Sequence, residues 1–421
     1  MKMPAAPYSA PSTPVPMGHS SQRGDGRGGP LRQDQQAQND VFSAGLGTTL
    51  EDVFHVDVSH TALWSAKPLF EQPQDIINAH LAFLSAGADL LCTATYQCSY
   101  RTFQRAGYSQ ADARTAMTRA VRLADEARCK YCESSGKAPS DIKVVLSLGP
   151  FGAMLSPAQE YDGCYPPPFG PQAYTTSGEN INAFPAGPVG NEAEARAVQA
   201  LTEFHLERLR IFAADRDVWR AIDSIAFETI PLLREVKAVR LAMARLSSEL
   251  EDDGKPWWLS TLFPRGEFPE KRRDGSGVPC DPAEVVRVAL AEERITDDLL
   301  AVPDGIGINC TDVGLYFALI EDFEHAASEY ISDTARPWLV LYPNGGDVYD
   351  PVSRTWLEGT GKGAAWADKL VDVGMRTAQS MIWKGIVLGG CCRCGPDEIR
   401  ALTEKRVRLV RCLPSFLTMW L

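Results

Sequence analysis

The sequence predicts an α/β fold, a single (β/α)8 TIM barrel with a disordered N-terminal extension, and three observations carry that prediction. From residue 40 onward, short β-branched or apolar runs alternate with longer stretches of helical period. The alternation repeats eight times, the number that closes a barrel. The chain, 421 residues and 44% apolar, is long enough to bury one large core of that kind. An open doubly wound sheet accommodates the same alternation and remains the second architecture, because counting units does not prove closure.

Residues 1–39 are dominated by Pro, Ser, Gly, Gln and Ala and carry no apolar periodicity, so they are expected to be a disordered, low-complexity extension. The barrel is then expected over 40–403. Its first strand falls at Asp40–Leu46 with a helix at Gln74–Ala86, and the second at Asp89–Thr95 with a helix at Gln110–Glu133. Lys143–Leu148 precedes Glu192–Ala214, and Ser224–Glu228 precedes Pro231–Leu250. Trp257–Leu262 leads to Pro282–Glu293, and Gly305–Asn309 to Leu315–Ser328. The last two units are Trp338–Tyr342 with Ala364–Gln379, and Gly385–Leu388 with Pro396–Leu402. Several helices open with Pro or an acidic first turn, as helix starts do. Residues 404–421 begin basic and end apolar, with Pro414 interrupting them, and are set apart as an atypical C-terminal tail. Two loops exceed the usual length: Ser156–Asn191 and Phe263–Cys280. Both follow strands, which puts them on a barrel's functional face.

A net charge of −12 without a long basic stripe argues against nucleic acid or an anionic membrane as partner. No apolar run reaches the roughly 18 residues of a membrane span, and the start lacks a signal-peptide pattern. Eleven scattered cysteines fit free or metal-bound thiols in a reducing compartment, so a soluble, cytoplasmic protein is expected. Oligomeric state is not encoded legibly.

Residues just past each strand of a parallel barrel converge on one mouth. The sixth strand runs into Asn309-Cys310-Thr311 and the eighth into Gly389-Gly390-Cys391-Cys392-Arg393, so three thiols meet at one rim. Three thiolates with a vacant fourth position describe a zinc site poised for chemistry, because structural zinc normally takes four protein ligands. Gly389 and Gly390 are expected to permit the turn that brings both neighbouring sulfurs to one ion. Two other readings stand beside it: three buried small apolar side chains, or a disulfide between Cys391 and Cys392, which its geometry disfavours. The Cys129-x-x-Cys132 pair lies in a long helical stretch and reads as incidental, and Cys394 as a spare thiol. None of the six histidines falls at a strand end. The turn Gly45-Leu46-Gly47-Thr48-Thr49 lacks a P-loop ending, but its amides can hold a carboxylate. Glu228, at the end of the fourth strand, suits a substrate ammonium group or a capping role.

These blocks resemble the zinc-dependent homocysteine S-methyltransferases, over about Val41 to Leu402. The likeness runs through Gly45-Leu46-Gly47-Thr48-Thr49-Leu50-Glu51, Leu63-Trp64-Ser65-Ala66-Lys67, Thr93-Ala94-Thr95-Tyr96-Gln97 and Ser147-Leu148-Gly149-Pro150-Phe151-Gly152-Ala153. It continues through Glu160-Tyr161, Phe204-His205, Glu228-Thr229-Ile230-Pro231, Asn309-Cys310-Thr311, Tyr342-Pro343-Asn344 and Gly389-Gly390-Cys391-Cys392-Arg393. The resemblance implies a barrel whose Cys310, Cys391 and Cys392 hold Zn2+, and methyl transfer from S-methylmethionine or S-adenosylmethionine to homocysteine, giving methionine. It implies that Glu228 and the first-strand loop (Ser43, Gly45, Gly47, Thr48) grip the amino and carboxylate groups, with Tyr96 near the reacting sulfur. No catalytic residue beyond the zinc site is implied. One departure is Ser43-Ala44, where the family usually carries Asp-Gly; serine offers a hydroxyl without charge. Betaine as donor, selenohomocysteine as acceptor, or a thiol-sensing barrel without turnover are the alternatives.

Overall fold

In the computed structural model the described residues are 40–412, apart from 44, 59–62, 251–253, 296, 333–334, 351–354 and 358–361. The expected extension over 1–39 and the last nine residues of the expected tail, 413–421, lie outside them. Eight parallel strands close into a barrel: β1 (Val41–Ser43), β2 (Leu90–Cys92), β3 (Lys143–Leu148), β4 (Ser224–Ile230), β5 (Trp257–Thr261), β6 (Gly305–Asn309), β7 (Trp338–Tyr342) and β8 (Ile386–Gly389). Closure is direct, since Phe42 of β1 registers with both Leu90 of β2 and Gly389 of β8. The open sheet is thereby excluded.

The large helices are α1 (Pro73–Ser85), α2 (Gln110–Ser135), α3 (Pro188–Ala213), α4 (Leu233–Glu249), α5 (Pro282–Leu290), α6 (Tyr316–Ala327), α7 (Ala364–Gln379) and α8 (Pro396–Cys412). Their starts follow local chemistry. Ser109 caps α2 and Asp281 caps α5, each in a reciprocal capping box with the acidic residue three positions on. Helix α8 runs ten residues past Leu402, so the first part of the expected tail is helix. There Arg406 pairs with Asp89 at 2.6 Å, and Asp89 in turn accepts from the Val41 N–H at 3.3 Å. The last helix thus clamps the amino end of the first two strands. Among the described residues no helix is long and apolar enough to cross a membrane.

Strand alternation splits the core in two, because successive side chains point to opposite faces. On β4, Ile225 and Phe227 join the large outer layer between sheet and helices, whereas Ala226 points inward. Phe42, Leu90, Val145, Trp258, Val340 and Val387 fill the interior alongside it. The same period turns Cys92, Ser147 and Glu228, two residues above Leu90, Val145 and Ala226, into the barrel at its carboxyl end. The floor is therefore hydrocarbon and the mouth polar.

The two long loops interlock above β3 and β5. The Asn182 amide donates to the carbonyls of Asp162 and Pro269, and its oxygen accepts from the Lys271 N–H. Beneath them Arg234 of α4, fully buried, pairs with Glu270 at 2.7 Å and donates to the carbonyls of Phe169 and Asn182.

Candidate active site

A cavity of about 320 Å³ opens at the carboxyl ends of the strands, at the lower end of the size range of small-molecule sites. Gly45, Gly47, Thr48, Tyr96, Glu228, Cys310, Cys391 and Cys392 all line it. Sequence blocks up to 347 positions apart are thus brought to one wall.

The thiol cluster is built by two turns. Cys310 follows β6 at φ 48°, a left-handed conformation that is uncommon for a side chain with a Cβ. Thr229, facing it, has φ 61°, and the β4–β5 register is irregular between Phe227 and Ile230. Asn309 holds both residues: its Oδ1 accepts from the Thr229 N–H at 2.9 Å, and its Nδ2 donates to Thr229 Oγ1 at 2.8 Å and to Cys310 Sγ at 3.3 Å. Strained backbone persists where the surroundings over-determine it.

On the other side, Cys391 donates its N–H to the Pro343 carbonyl at 2.7 Å, and its own carbonyl accepts from the Cys394 N–H at 3.1 Å. The expectation that glycine freedom makes this turn is corrected. Neither Gly389 nor Gly390 has positive φ; their missing side chains serve close approach. A Cβ on Gly389 would lie 2.5 Å from the Phe42 carbonyl oxygen, and one on Gly390 2.5 Å from Cys394 Sγ. The glycine that needs a left-handed backbone is Gly45, at φ 73°.

The sulfurs of Cys310, Cys391 and Cys392 all lie within 4.8 Å of one another, the one group of potential metal ligands among the described residues. Cys310 and Cys391 are joined as a disulfide here, with Cα atoms 5.6 Å apart, and Cys392 Sγ is 4.0 Å from Cys310 Sγ. The expected competitor, a Cys391–Cys392 bond, is not formed. Tetrahedral zinc with bonds of about 2.3 Å would set its sulfurs about 3.8 Å apart, a spacing inside the 4.8 Å that encloses these three. Burial, with the charge of Glu160 adding to it, pushes the Cys392 thiol up to about 12. A cation is what such a thiol needs to ionise.

Glu228, 6% exposed, is pushed up to about 7 by burial, against which the Ser147 hydroxyl and the Cys92 thiol favour its charged form. Ser43 is not among the lining residues, and its hydroxyl accepts from the Cys92 N–H at 3.3 Å. The Tyr96 phenol is raised well above its ordinary range by burial and then by Glu160. Thr48 bridges the first loop to the thiol turn, accepting from the Arg393 N–H at 3.2 Å.

Several lining residues carried no role in the sequence reading: Cys92, Ser147, Asp162 and Thr229. Strand alternation would have found the first two, since they share the inward phase with Leu90 and Val145. Cys129 is exposed and Cys132 buried on α2, apart from the cluster, while Cys394 donates to the Pro343 carbonyl at 3.6 Å. His80 and His205 are buried on helices.

The chain is similar to known proteins over most of its length. The family model described as Homocysteine S-methyltransferase matches residues 41–406. Selenocysteine Se-methyltransferase of Brassica oleracea var. italica is 30% identical over 384 residues, covering 87% of this chain and 88% of its own. Homocysteine S-methyltransferase 2 of Arabidopsis thaliana is 29% identical over 383 residues, covering 87% and 92%. Among solved structures, the metallated form of the homocysteine methyltransferase MmuM from Escherichia coli superposes with a TM-score of 0.60 at 24% identity, covering 87% of this chain and 96% of that one.

Proposed function

Because the chain belongs to the homocysteine S-methyltransferase family, we propose that Cys310, Cys391 and Cys392 hold one zinc ion as thiolates, and that the methyl group comes from a sulfonium donor. The enzyme is a methyltransferase acting on homocysteine. The observation that carries the finer reading is the trio of sulfurs within 4.8 Å, set in the wall of a cavity that also holds Glu228.

When bound, zinc supplies a lowered pKa for the acceptor's thiol, and three thiolates give the site a net charge of −1 that leaves the acceptor sulfur electron-rich. The rest falls to this chain's own side chains. Glu228 receives the α-ammonium group of homocysteine, and the loop containing Gly45, Gly47 and Thr48 receives its carboxylate. Tyr96 borders the space in which the sulfur reacts. Ser43 adds no charge, so Glu228 carries the ammonium recognition.

A sulfonium leaves as a neutral thioether, so the displacement needs no general acid and no protein nucleophile. The lining suits such a donor: among the described residues it includes Glu160, Asp162 and Glu228 and no Lys, Arg or His. Catalysis then comes from placing methyl carbon and attacking sulfur in line, with water excluded by the loop that supplies Ala158 to Asp162. A second reading, in which the acceptor is a selenol amino acid, is favoured by the Brassica relative, which is named for selenocysteine.

The test assays purified protein with homocysteine or selenohomocysteine and a panel of S-methylmethionine, S-adenosylmethionine and betaine, with metal analysis of wild type and Cys310→Ala. The expected result is about one zinc per wild-type chain, as one three-thiolate site requires, and methionine formation from a sulfonium donor. Zinc without turnover for any donor would instead make the barrel a thiol sensor. Turnover that survives loss of Cys310 would overturn the zinc-based reading.

A further inference from the structure

Glu228 is the one strand-borne carboxylate among the lining side chains, and it does not stand alone. The thiol of Cys92, closing β2, donates to its Oε1 with sulfur and oxygen 3.7 Å apart. Ser147 on β3 hydrogen-bonds to the same carboxylate. All three side chains are buried and all three line the cavity. The Cys92 backbone is fixed too, since its N–H donates to the Ser43 hydroxyl at 3.3 Å. Two neighbouring strands therefore present a thiol and a hydroxyl to one carboxylate.

We propose that Cys92 is a positioning residue for the acceptor's amino group, its thiol holding the Glu228 carboxylate in the orientation in which an α-ammonium group docks. The inference rests on the reading that Glu228 receives that ammonium. A glutamate has three rotatable bonds, and fixing them before the ligand arrives removes an entropic cost from binding. A hydrogen bond to an ionised acceptor is also stronger than one between neutral groups, and more so away from water. A carboxylate has about four acceptor positions, so the thiol and the Ser147 hydroxyl together still leave lone pairs open for the ligand. Among the described residues, the other titratable groups facing Glu228 are Tyr96 beyond β2, Tyr342 on β7 and Cys392 beyond β8, none of them cationic. Among the described residues no lysine or arginine lines the cavity to take over the task.

The test uses metal-loaded full-length enzyme at saturating donor and compares two acceptors: homocysteine, and 4-mercaptobutanoate, which keeps the thiol and carboxylate and lacks the ammonium. The second is followed as substrate or as competitive inhibitor. Cys92→Ala is expected to raise KM for homocysteine roughly tenfold, the loss of about one hydrogen bond to a charged group. Its kcat, its metal content and its affinity for 4-mercaptobutanoate stay at the wild-type level. Cys92→Ser, which keeps a donor, recovers most of the loss, and Cys92→Val gives the same selective defect with the volume filled. An equal loss for both acceptors, a fall in kcat alone, loss of metal, or a serine variant no better than valine would overturn the proposal and leave Cys92 as filler. Glu228→Gln tests the underlying reading separately: if that variant still discriminates between the acceptors as wild type does, the role of Glu228 fails whatever Cys92 shows.

Discussion

Asn309 and Thr229 hold each other twice, the Asn309 Oδ1 accepting from the Thr229 N–H at 2.9 Å and its Nδ2 donating to Thr229 Oγ1 at 2.8 Å. Thr229 follows Glu228 in the chain and Asn309 precedes Cys310. One amide therefore fixes the backbone beside both Glu228, the proposed ammonium site, and Cys310, a proposed metal ligand.

Removing that amide is expected to loosen both. Its Nδ2 also donates to Cys310 Sγ at 3.3 Å, the kind of outer contact whose loss costs about 10- to 100-fold in metal affinity. Asn309→Ala should therefore lose zinc to a chelator at a free-zinc level roughly that much higher than wild type, and its KM for homocysteine should rise. Zinc retention equal to wild type would show that Asn309 serves the fold alone.

Glu228 gives a pH dependence whose sign follows from its environment. Burial pushes it up to about 7 from an ordinary 4.5, so an ammonium ligand meets a charged partner only above that pH. KM for homocysteine is expected to fall as pH rises through about 7, and Glu228→Gln to abolish this step. Stability runs the other way: between 4.5 and 7 the folded chain retains a proton that the unfolded chain has lost, so the contribution of Glu228 is complete at low pH and declines as pH rises towards 7. Urea midpoints of wild type and Glu228→Gln across that range measure the difference, which should change only within it.

Much of this site was legible in the sequence because a parallel barrel converts strand ends into one place. The order of units placed Cys310, Cys391 and Cys392 at the same rim, and β3, β6 and β7 have the bounds that their apolar runs predict. The first strand is shorter than its run because Gly45 turns the chain into a short helix at Leu46. The role of Gly389 was misread for a related reason: that it lies against the Phe42 carbonyl is a fact about a strand far away in sequence. The same limit hid the roles of Cys92 and Ser147, whose contacts with Glu228 join strands β2, β3 and β4, far apart in sequence. Local pattern states where a side chain points, but not what it meets.

The ion pair of Arg234 with Glu270 tests what holds the two long loops over the cavity. Arg234 also donates to the carbonyls of Phe169 and Asn182, and Glu270, itself on the second loop, accepts from the Leu233 N–H at the start of α4, so the pair ties both loops to that helix. Glu270→Gln leaves a buried guanidinium without its counter-charge, a change that costs about 3–5 kcal/mol. The variant should show a urea midpoint lowered accordingly and faster proteolytic cleavage within 158–187, with donor KM raised because Glu160 and Asp162 ride on that loop. A midpoint unchanged from wild type would place the restraint elsewhere, with Asn182 the next residue to vary.

Gly45 and Gly136 separate backbone strain from steric contact, since their φ values are nearly equal, 73° and 75°. At Gly136, just past α2, an added Cβ meets nothing within 4 Å. Gly136→Ala should therefore cost only the left-handed penalty of about 1–2 kcal/mol, with metal content and activity intact. At Gly45 the same Cβ would lie 2.4 Å from the Cys394 carbonyl oxygen and 2.6 Å from that of Cys391. Those are backbone atoms of the turn that presents Cys391 and Cys392, and they cannot yield without moving both sulfurs. Gly45→Ala is accordingly expected to lose zinc and activity together, far beyond the thermal shift it shares with Gly136→Ala. If the two variants proved alike in metal content and turnover, the first-strand loop would not be what braces the thiol turn, and the Thr48 contact to Arg393 would have to carry that role.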